Sequence, residues 1–150
     1  MKRSSRNRLK FKLKFFFEDK MEENVIYATG KRKTAIARAW LTPGNGKITV
    51  NDRDVDDYFT TFLVRKIVRS PLVFTETADK FDINMKIAGG GMTGQAGAAR
   101  HAVSKALTLF QSDLRQPLKA AGFLKRDARK KERKKYGQRG ARANYQFSKR

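Results

Sequence analysis

Residues 125–150 read KRDARKKERKKYGQRGARANYQFSKR, with twelve Lys or Arg, two acids and almost no aliphatic side chains. Such a stretch cannot fold alone, because it buries too little apolar surface to offset the entropy of an ordered backbone and its cations repel one another. Something anionic must order it. Polyphosphate fits best, since each Lys or Arg that meets a nucleic-acid backbone releases condensed counterions.

The formal net charge of +21 is spread unevenly. Residues 2–14 hold seven bases and no acid, whereas residues 48–98 hold seven acids and six bases. That is the pattern of a near-neutral globular centre between basic arms. At 150 residues the chain has room for one small domain with a modest core. The pattern divides it into a basic extension over 1–24, a globular α/β unit over 25–124 and an extended basic tail over 125–150. With no Cys and a single His, disulfides, thiolate metal sites and all-His sites are excluded, and no cofactor is expected. No apolar run approaches the ~20 residues that span a bilayer, so no membrane partner is expected. The start is Arg- and Ser-containing and free of acids until Glu18, faintly like an organellar transit peptide. Phe11, Leu13, Phe15 and Phe17 nevertheless alternate with Lys10, Lys12 and Lys14, which favours a basic arm lying on RNA.

Within the centre, residues 27–42 are strand-like, and Pro43-Gly44-Asn45-Gly46 is a turn signal before the alternating strand 47–51, predicting a β-hairpin. Asp54 or Asp56 caps a helix that continues through Leu63, Ile67 and Val68 until Ser70-Pro71 ends it. Phe81, Ile83, Met85 and Ile87 mark an amphipathic strand running into Gly89-Gly90-Gly91. Ala99, Ala102, Val103, Ala106, Leu107 and Phe110 then form the stripe of the main packing helix, with Arg100, His101, Ser104 and Lys105 on its other faces. Ser112-Asp113 caps a short last helix, Pro117 limits its start and Gly122 stops it.

Several motifs with catalytic or ligand-binding precedent fail in context. Gly89-x-Gly91-x-x-Gly94 has the dinucleotide spacing, but a dinucleotide fold requires a further parallel strand after the helix, and here the sequence turns to Pro117 and the basic tail. The glycines are better read as letting the backbone turn and approach a partner, phosphate included. Gly30-Lys31-Arg32-Lys33-Thr34 lacks the upstream glycine and Lys-Thr pair of a P-loop and reads as a basic loop. Asp52, Asp54 and Asp56 have calcium-loop spacing, but Asp57 stands where that loop needs glycine and Leu63 where it needs Glu. No acid is spaced to orient His101, so a diad with Ser104 is not expected and the ring reads as solvated or RNA-facing. Tyr136, Tyr145 and Phe147 interleave with the tail's cations, either to stack on unpaired bases or to anchor the tail on protein.

Three stretches, TGKRKTAIARAWLTPGNGKITVN (29–51), GGGMTGQAGAARHAVSKAL (89–107) and the run from AGFLKRDARKKERKKYG to the terminal QFSKR, closely resemble small-subunit ribosomal protein nine of bacterial or organellar type. The resemblance spans about residues 25–150. It implies an α+β fold, a four-stranded sheet with packed helices and a left-handed strand-helix-strand crossover, contrary to the usual hand. It also implies a non-enzymatic component of the small-subunit head that binds ribosomal RNA, abuts neighbouring ribosomal proteins and sends its tail to the peptidyl-site tRNA. On that basis Lys31, Arg32, Lys33, Arg38, Gly89, Gly90, Gly91, Gly94, Gln95, Arg100 and His101 are expected at ribosomal RNA. So are Arg126, Arg129, Arg133, Lys134, Lys135, Arg139 and Arg142 of the tail, while Ser148, Lys149 and Arg150 face tRNA. Ala143 and Asn144 stand where many relatives carry further bases. The Tyr27-Ala28-Thr29-Gly30 start is similar to alphaproteobacterial relatives, which mitochondria inherit, so a mitochondrial ribosome is favoured over a bacterial one. A free-standing basic RNA chaperone is the alternative that charge alone also fits.

Overall fold

The structure, a computed structural model, describes residues 25–148; the alternating Phe/Lys segment and the two terminal cations lie outside the described residues. The elements are strands β1 (Ile26–Arg32), β2 (Ala35–Pro43), β3 (Ile48–Val50) and β4 (Arg53–Asp54), helices α1 (Val55–Tyr58) and α2 (Phe62–Phe74), strand β5 (Phe81–Ala88), helix α3 (Met92–Phe110), a 3-10 turn (Ser112–Leu114) and helix α4 (Arg115–Ala120). They form an α+β fold on one sheet of order β1-β2-β5-β3-β4. Pairing is antiparallel except between β3 and β5.

Three strand expectations are corrected. The stretch 27–42 is not one strand but the hairpin β1–β2, folded at Lys33-Thr34 with Arg32 opposite Ala35. Lys33 takes φ 51°, a left-handed conformation that hairpin turns usually give to Gly or Asn, so no turn dipeptide marked it. The predicted hairpin around Pro43–Gly46 does not form, because β5 lies between β2 and β3. Its connecting loop is held by β5 instead. Asp82 Oδ1 accepts from the N–H groups of Asn45 (2.9 Å) and Lys47 (2.8 Å), and Gly44 N–H donates to the Lys80 carbonyl at 3.0 Å. The sheet also has five strands where four were expected. Asn51 and Asp52, both at positive φ, turn the chain so that Arg53-Asp54 pairs back on Thr49-Val50.

Helix boundaries follow local chemistry. Asp54 caps α1 by accepting from Asp56 N–H at 2.9 Å, so Asp54 is the cap and Asp56 is not. Pro71 does not end α2 but sits inside it. A proline leaves the carbonyl four residues back without its donor, and here Ser70 Oγ donates to that Ile67 carbonyl at 2.7 Å. Gly122 stops α4 as expected. At φ 78° it donates to the Lys119 carbonyl, and Phe123 N–H donates to that of Leu118, both at 3.0 Å, the two bonds of a Schellman motif. Ser112 and Asp113 make no capping bond.

The core lies on one sheet face, where Ala28, Ala35, Ala37, Ala39, Leu41, Ile83 and Met85 meet α3 through Ala98, Ala99, Ala102, Val103 and Ala106. Small residues on both sides bring the backbones close. A Cβ at Gly30 of β1 would lie 2.1 Å from the Ala98 carbonyl oxygen and 2.4 Å from Ala102 N, so no larger residue fits without moving the helix. Gly30→Ala is therefore expected to destabilise the fold by about 1–3 kcal/mol or more. A lowered thermal midpoint of the purified full chain checks it, and an unchanged midpoint would refute the close-packing account.

Candidate nucleic-acid interface

Four segments meet at one end of the molecule: the β1–β2 turn, the glycine loop after β5, the start of α3 and the beginning of the tail. Gly89 and Gly90 take φ of 73° and 67°, and a Cβ at Gly89 would lie 2.6 Å from the Thr34 carbonyl oxygen, so the glycine loop is laid directly on the hairpin turn. Gln95 braces that loop. Its amide donates to the Gly89 carbonyl at 3.2 Å, and its Oε1 accepts from Tyr58 Oη at 3.0 Å. Asn51 extends the brace, donating to Tyr58 Oη (3.4 Å) and the Ile87 carbonyl (3.0 Å) and accepting from Ile87 N–H (2.9 Å). Gly94 lies inside α3, with its Cβ position 3.8 Å from Ala35 Cβ, and serves packing. Gly91 opens α3 without a side-chain cap and has open space around it.

Arg32 ties the tail to this end. Its side chain lies over Gly97, where a Cβ would come 2.3 Å from Arg32 Cδ. Its guanidinium donates to the Thr93 carbonyl at 3.1 Å and reaches Asp127 Oδ2 at 3.4 Å. Asp127 also accepts from Arg129 through Nε (3.0 Å), Nη2 (2.9 Å) and the backbone N–H (3.1 Å). The Arg129 guanidinium in the first place, and its backbone N–H next, hold the Asp127 carboxyl well below the usual carboxylate range. Beside the clamp lies a cavity of about 460 Å³ lined by Arg32, Lys33, Asp127, Arg129, Lys130 and Lys131. Lys33 is exposed there, and Lys31 is exposed on the other face of β1, opposite Ile36; neither has an ion-pair partner among the described residues.

Other expected positions separate. Arg38 lies on the opposite, helix-free face of the sheet, paired in register with Lys86. Arg100 sets its guanidinium 5.7 Å from the centre of the Phe123 ring, spending its charge on protein. His101 does not face solvent: it is 8% exposed, with Nδ1 buried and unpaired. Alanine neighbours let α3 sink so far onto β1 that faces expected to be polar are covered as well. Ser104 is also buried, its Oγ donating to the Arg100 carbonyl at 2.7 Å. Burial, then the charge of Lys105, pushes the His101 pKa below its ordinary 6.5, outweighing the nearby Leu124 carbonyl.

Among the described residues no helix or strand follows Ala120. Glu132 accepts from Arg142 Nε at 3.0 Å and meets Lys135 Nζ at 3.5 Å, and Arg139 N–H donates to the Ala143 carbonyl at 3.0 Å, folding the tail into a loop. Arg126, Arg129, Arg133, Lys134, Arg139 and Arg142 are exposed on it, and Lys135 is half-buried. Tyr136 is 96% and Phe147 85% exposed, and Tyr145 is exposed too, so these rings do not anchor the tail on the described protein. Ser148 is exposed at the end of the described chain.

Alternative chemistries find no frame. The strand that a dinucleotide site needs after α3 is absent from the described residues. Of the spaced acids, Asp54 is a cap and Asp56 pairs with Arg69 (2.9 Å) and Arg65 (3.4 Å). Among the described residues no group of three or more His, Cys, Asp or Glu is placed to hold a metal, and no helix is long and apolar enough to cross a membrane. Sequence reasoning missed Asn51, Tyr58, Asp82 and Asp127; only Asn51-Asp52 carried a signal, as a turn-forming pair.

A basic α+β domain with an irregular cationic tail fits the class of structural ribosomal proteins, and comparison with known proteins bears this out. Residues 30–150 match the family described as Ribosomal protein S9/S16, to which the chain belongs. It is 63% identical over 130 residues to the small ribosomal subunit protein uS9 of Desulfosudis oleivorans, covering 87% of this chain and 100% of the relative. It is 52% identical, over the same shares, to uS9 of Syntrophobacter fumaroxidans. The family is a structural, non-enzymatic part of the small subunit. Both relatives are bacterial, so the preference for a mitochondrial ribosome is not supported and is withdrawn.

Two outcomes follow from the clamp and the histidine. Asp127→Asn releases the tail's first residues from Arg32, so trypsin is expected to cut after Lys125 and Arg126 sooner, with the melting of the globular unit little changed. Equal cleavage rates would refute the clamp. For His101, the folded pKa is depressed, so the unfolded chain takes up the proton first as pH falls. Stability is full above pH 6.5, the unfolded value, and is lost as pH drops from there through the folded pKa. Urea midpoints between neutral and mildly acidic pH should show this loss, and His101→Gln should flatten it.

Proposed function

We propose that this protein stabilises the head of the small ribosomal subunit by binding its RNA and neighbouring ribosomal proteins, and that its last residues reach the peptidyl-site tRNA. The observation that carries this reading is the tail: a polycationic segment without helix or strand, pinned at its root by Arg32 and Asp127, with its aromatic rings left to solvent. Such a segment gains its order from phosphate and unpaired bases.

In this reading, Lys31, Lys33 and the exposed tail cations from Arg126 to Arg142 contact ribosomal RNA phosphates, which position the domain without reading sequence. Gly89, Gly90 and Gln95 shape the loop against which RNA lies, and Arg32 aims the tail. The domain is the unit 25–124, the tail is 125–150 and residues 1–24 are a further basic arm. The parallel connection from β3 to β5 through α1 and α2 is the crossover for which the resemblance implies a left hand. Ser148, Lys149 and Arg150 add charge-assisted contacts to tRNA phosphates, each on the order of 1–3 kcal/mol. Residues 137–150, if extended at ~3.3 Å per residue, reach on the order of 45 Å.

Deleting Ser148 to Arg150 is expected to leave subunit assembly intact and to speed tRNA dissociation from the peptidyl site several-fold. An unchanged dissociation rate from purified truncated ribosomes contradicts the tRNA contact. Loss of the whole chain from small subunits in a moderate-salt gradient contradicts the structural role and favours a free-standing RNA chaperone, whose contacts are simply screened.

A further inference from the structure

Helices cover one face of the sheet, and among the described residues nothing covers the other. On that open face the registers set side chains in rows. Thr29, Arg38 and Lys86 lie across β1, β2 and β5, and Tyr27, Trp40, Asn84 and Thr49 form the next row across β1, β2, β5 and β3. Two features of these rows ask for an anion and a flat ring. Arg38 and Lys86 stand directly opposite each other on adjacent strands, an arrangement of like charges that destabilises a sheet by itself. Both are exposed, and neither has an ion-pair partner among the described residues. Of the acids on this face, Asp82 is committed to the Asn45 and Lys47 N–H groups, and Asp54, opposite Thr49, accepts from Asp56 N–H. A hollow of about 190 Å³ opens between the two cations, lined by Ile36, Arg38, Lys86, Ile87 and Ala88. In the neighbouring row Tyr27 and Trp40 meet at 5.3 Å between ring centres with planes 43° apart, and Tyr27 is exposed.

We propose that this open sheet face is a second RNA-docking surface, where a phosphate of a single-stranded segment sits between Arg38 and Lys86 and an adjacent unpaired base stacks on the Tyr27–Trp40 pair. Cations beside a Tyr–Trp pair on an uncovered sheet face supply both halves of single-strand binding, charge for the backbone and a π-face for the base. A basic partner is repelled here, and an acidic protein would satisfy the charges but give the aromatic row no special use. The inference rests on the RNA-binding reading above and adds a place distinct from the hairpin turn and tail.

Trp40 is the only tryptophan of the chain, so its fluorescence reports on this face alone. The full-length protein is titrated with a short oligouridine while Trp40 emission is followed, and total binding is measured in parallel by anisotropy of the same oligomer carrying an end label. Trp40 is expected to be quenched on binding, and the slope of log affinity against log salt read from quenching should fall by about 1 in Arg38→Gln or Lys86→Gln. With both residues changed to Glu, and folding verified by circular dichroism, anisotropy should still report binding through the tail while quenching disappears. Wild-type binding without a change at Trp40 overturns the proposal, leaves the RNA reading intact and gives the face to a protein neighbour. Equal quenching in the double variant overturns the role of the charge pair. No binding at low salt overturns the RNA reading, and this proposal with it.

Discussion

The close approach of α3 to β1 is the constraint on which the molecule depends. With glycine at 30 and alanines across the facing surfaces, the helix lies against the strand backbone itself, as the Cβ distances at Gly30 show. That contact sets the height of α3 above the sheet, and so the position of its first turn beside the β1–β2 hairpin. It also leaves Arg32 one course, along Gly97 to the Thr93 carbonyl and Asp127. A bulkier pair at this contact would lift the helix, open the clamp and unseat the root of the tail.

From that contact the charge distribution becomes intelligible. Two cations at α3 are spent on protein: Arg32, which packs along it, on the clamp, and Arg100, within it, on Phe123. Cations on the hairpin turn and the open sheet face are left to solvent, as are most of those on the described tail, where only Arg129, Lys135 and Arg142 meet an acid. The neutral middle of the sequence supplies the frame, and three of its acids are consumed locally. Asp54 caps a helix, Asp56 neutralises Arg65 and Arg69, and Asp82 holds a loop through two backbone N–H groups. Lys and Arg far outnumber the acids, so a chain of net charge +21 still favours a polyanion at its surface.

The amphipathic strand β5, the packing helix α3 and the Gly122 stop were legible because each is written in local periodicity or in a residue with one conformational use. The hairpin at Lys33 was not, since a lysine in the left-handed region carries no turn signature. Nor was the separation of β2 from β3: the insertion of β5 is a long-range pairing, and the Pro-Gly-Asn-Gly loop looks the same whether or not its flanking strands meet. Pro71 misled because the donor that relieves it is a side chain, Ser70, whose role depends on its rotamer. At the candidate interface the cationic run 31–33 was legible as a basic loop, whereas the burial of His101 was not, because the depth to which α3 sinks depends on residues of another element.

By itself the sequence determined the division of labour: a near-neutral stretch with enough apolar periodicity to fold, and a cationic tail with too little to build a core of its own. Composition decides that, because burial and repulsion are sums over residues. Only the tertiary structure decided which cations are free and which are spent, that the tail starts from Arg32, and that Arg38 shares a bare sheet face with Lys86, Tyr27 and Trp40. Those outcomes turn on contacts between residues tens of positions apart, fixed by how closely one helix and one sheet can approach.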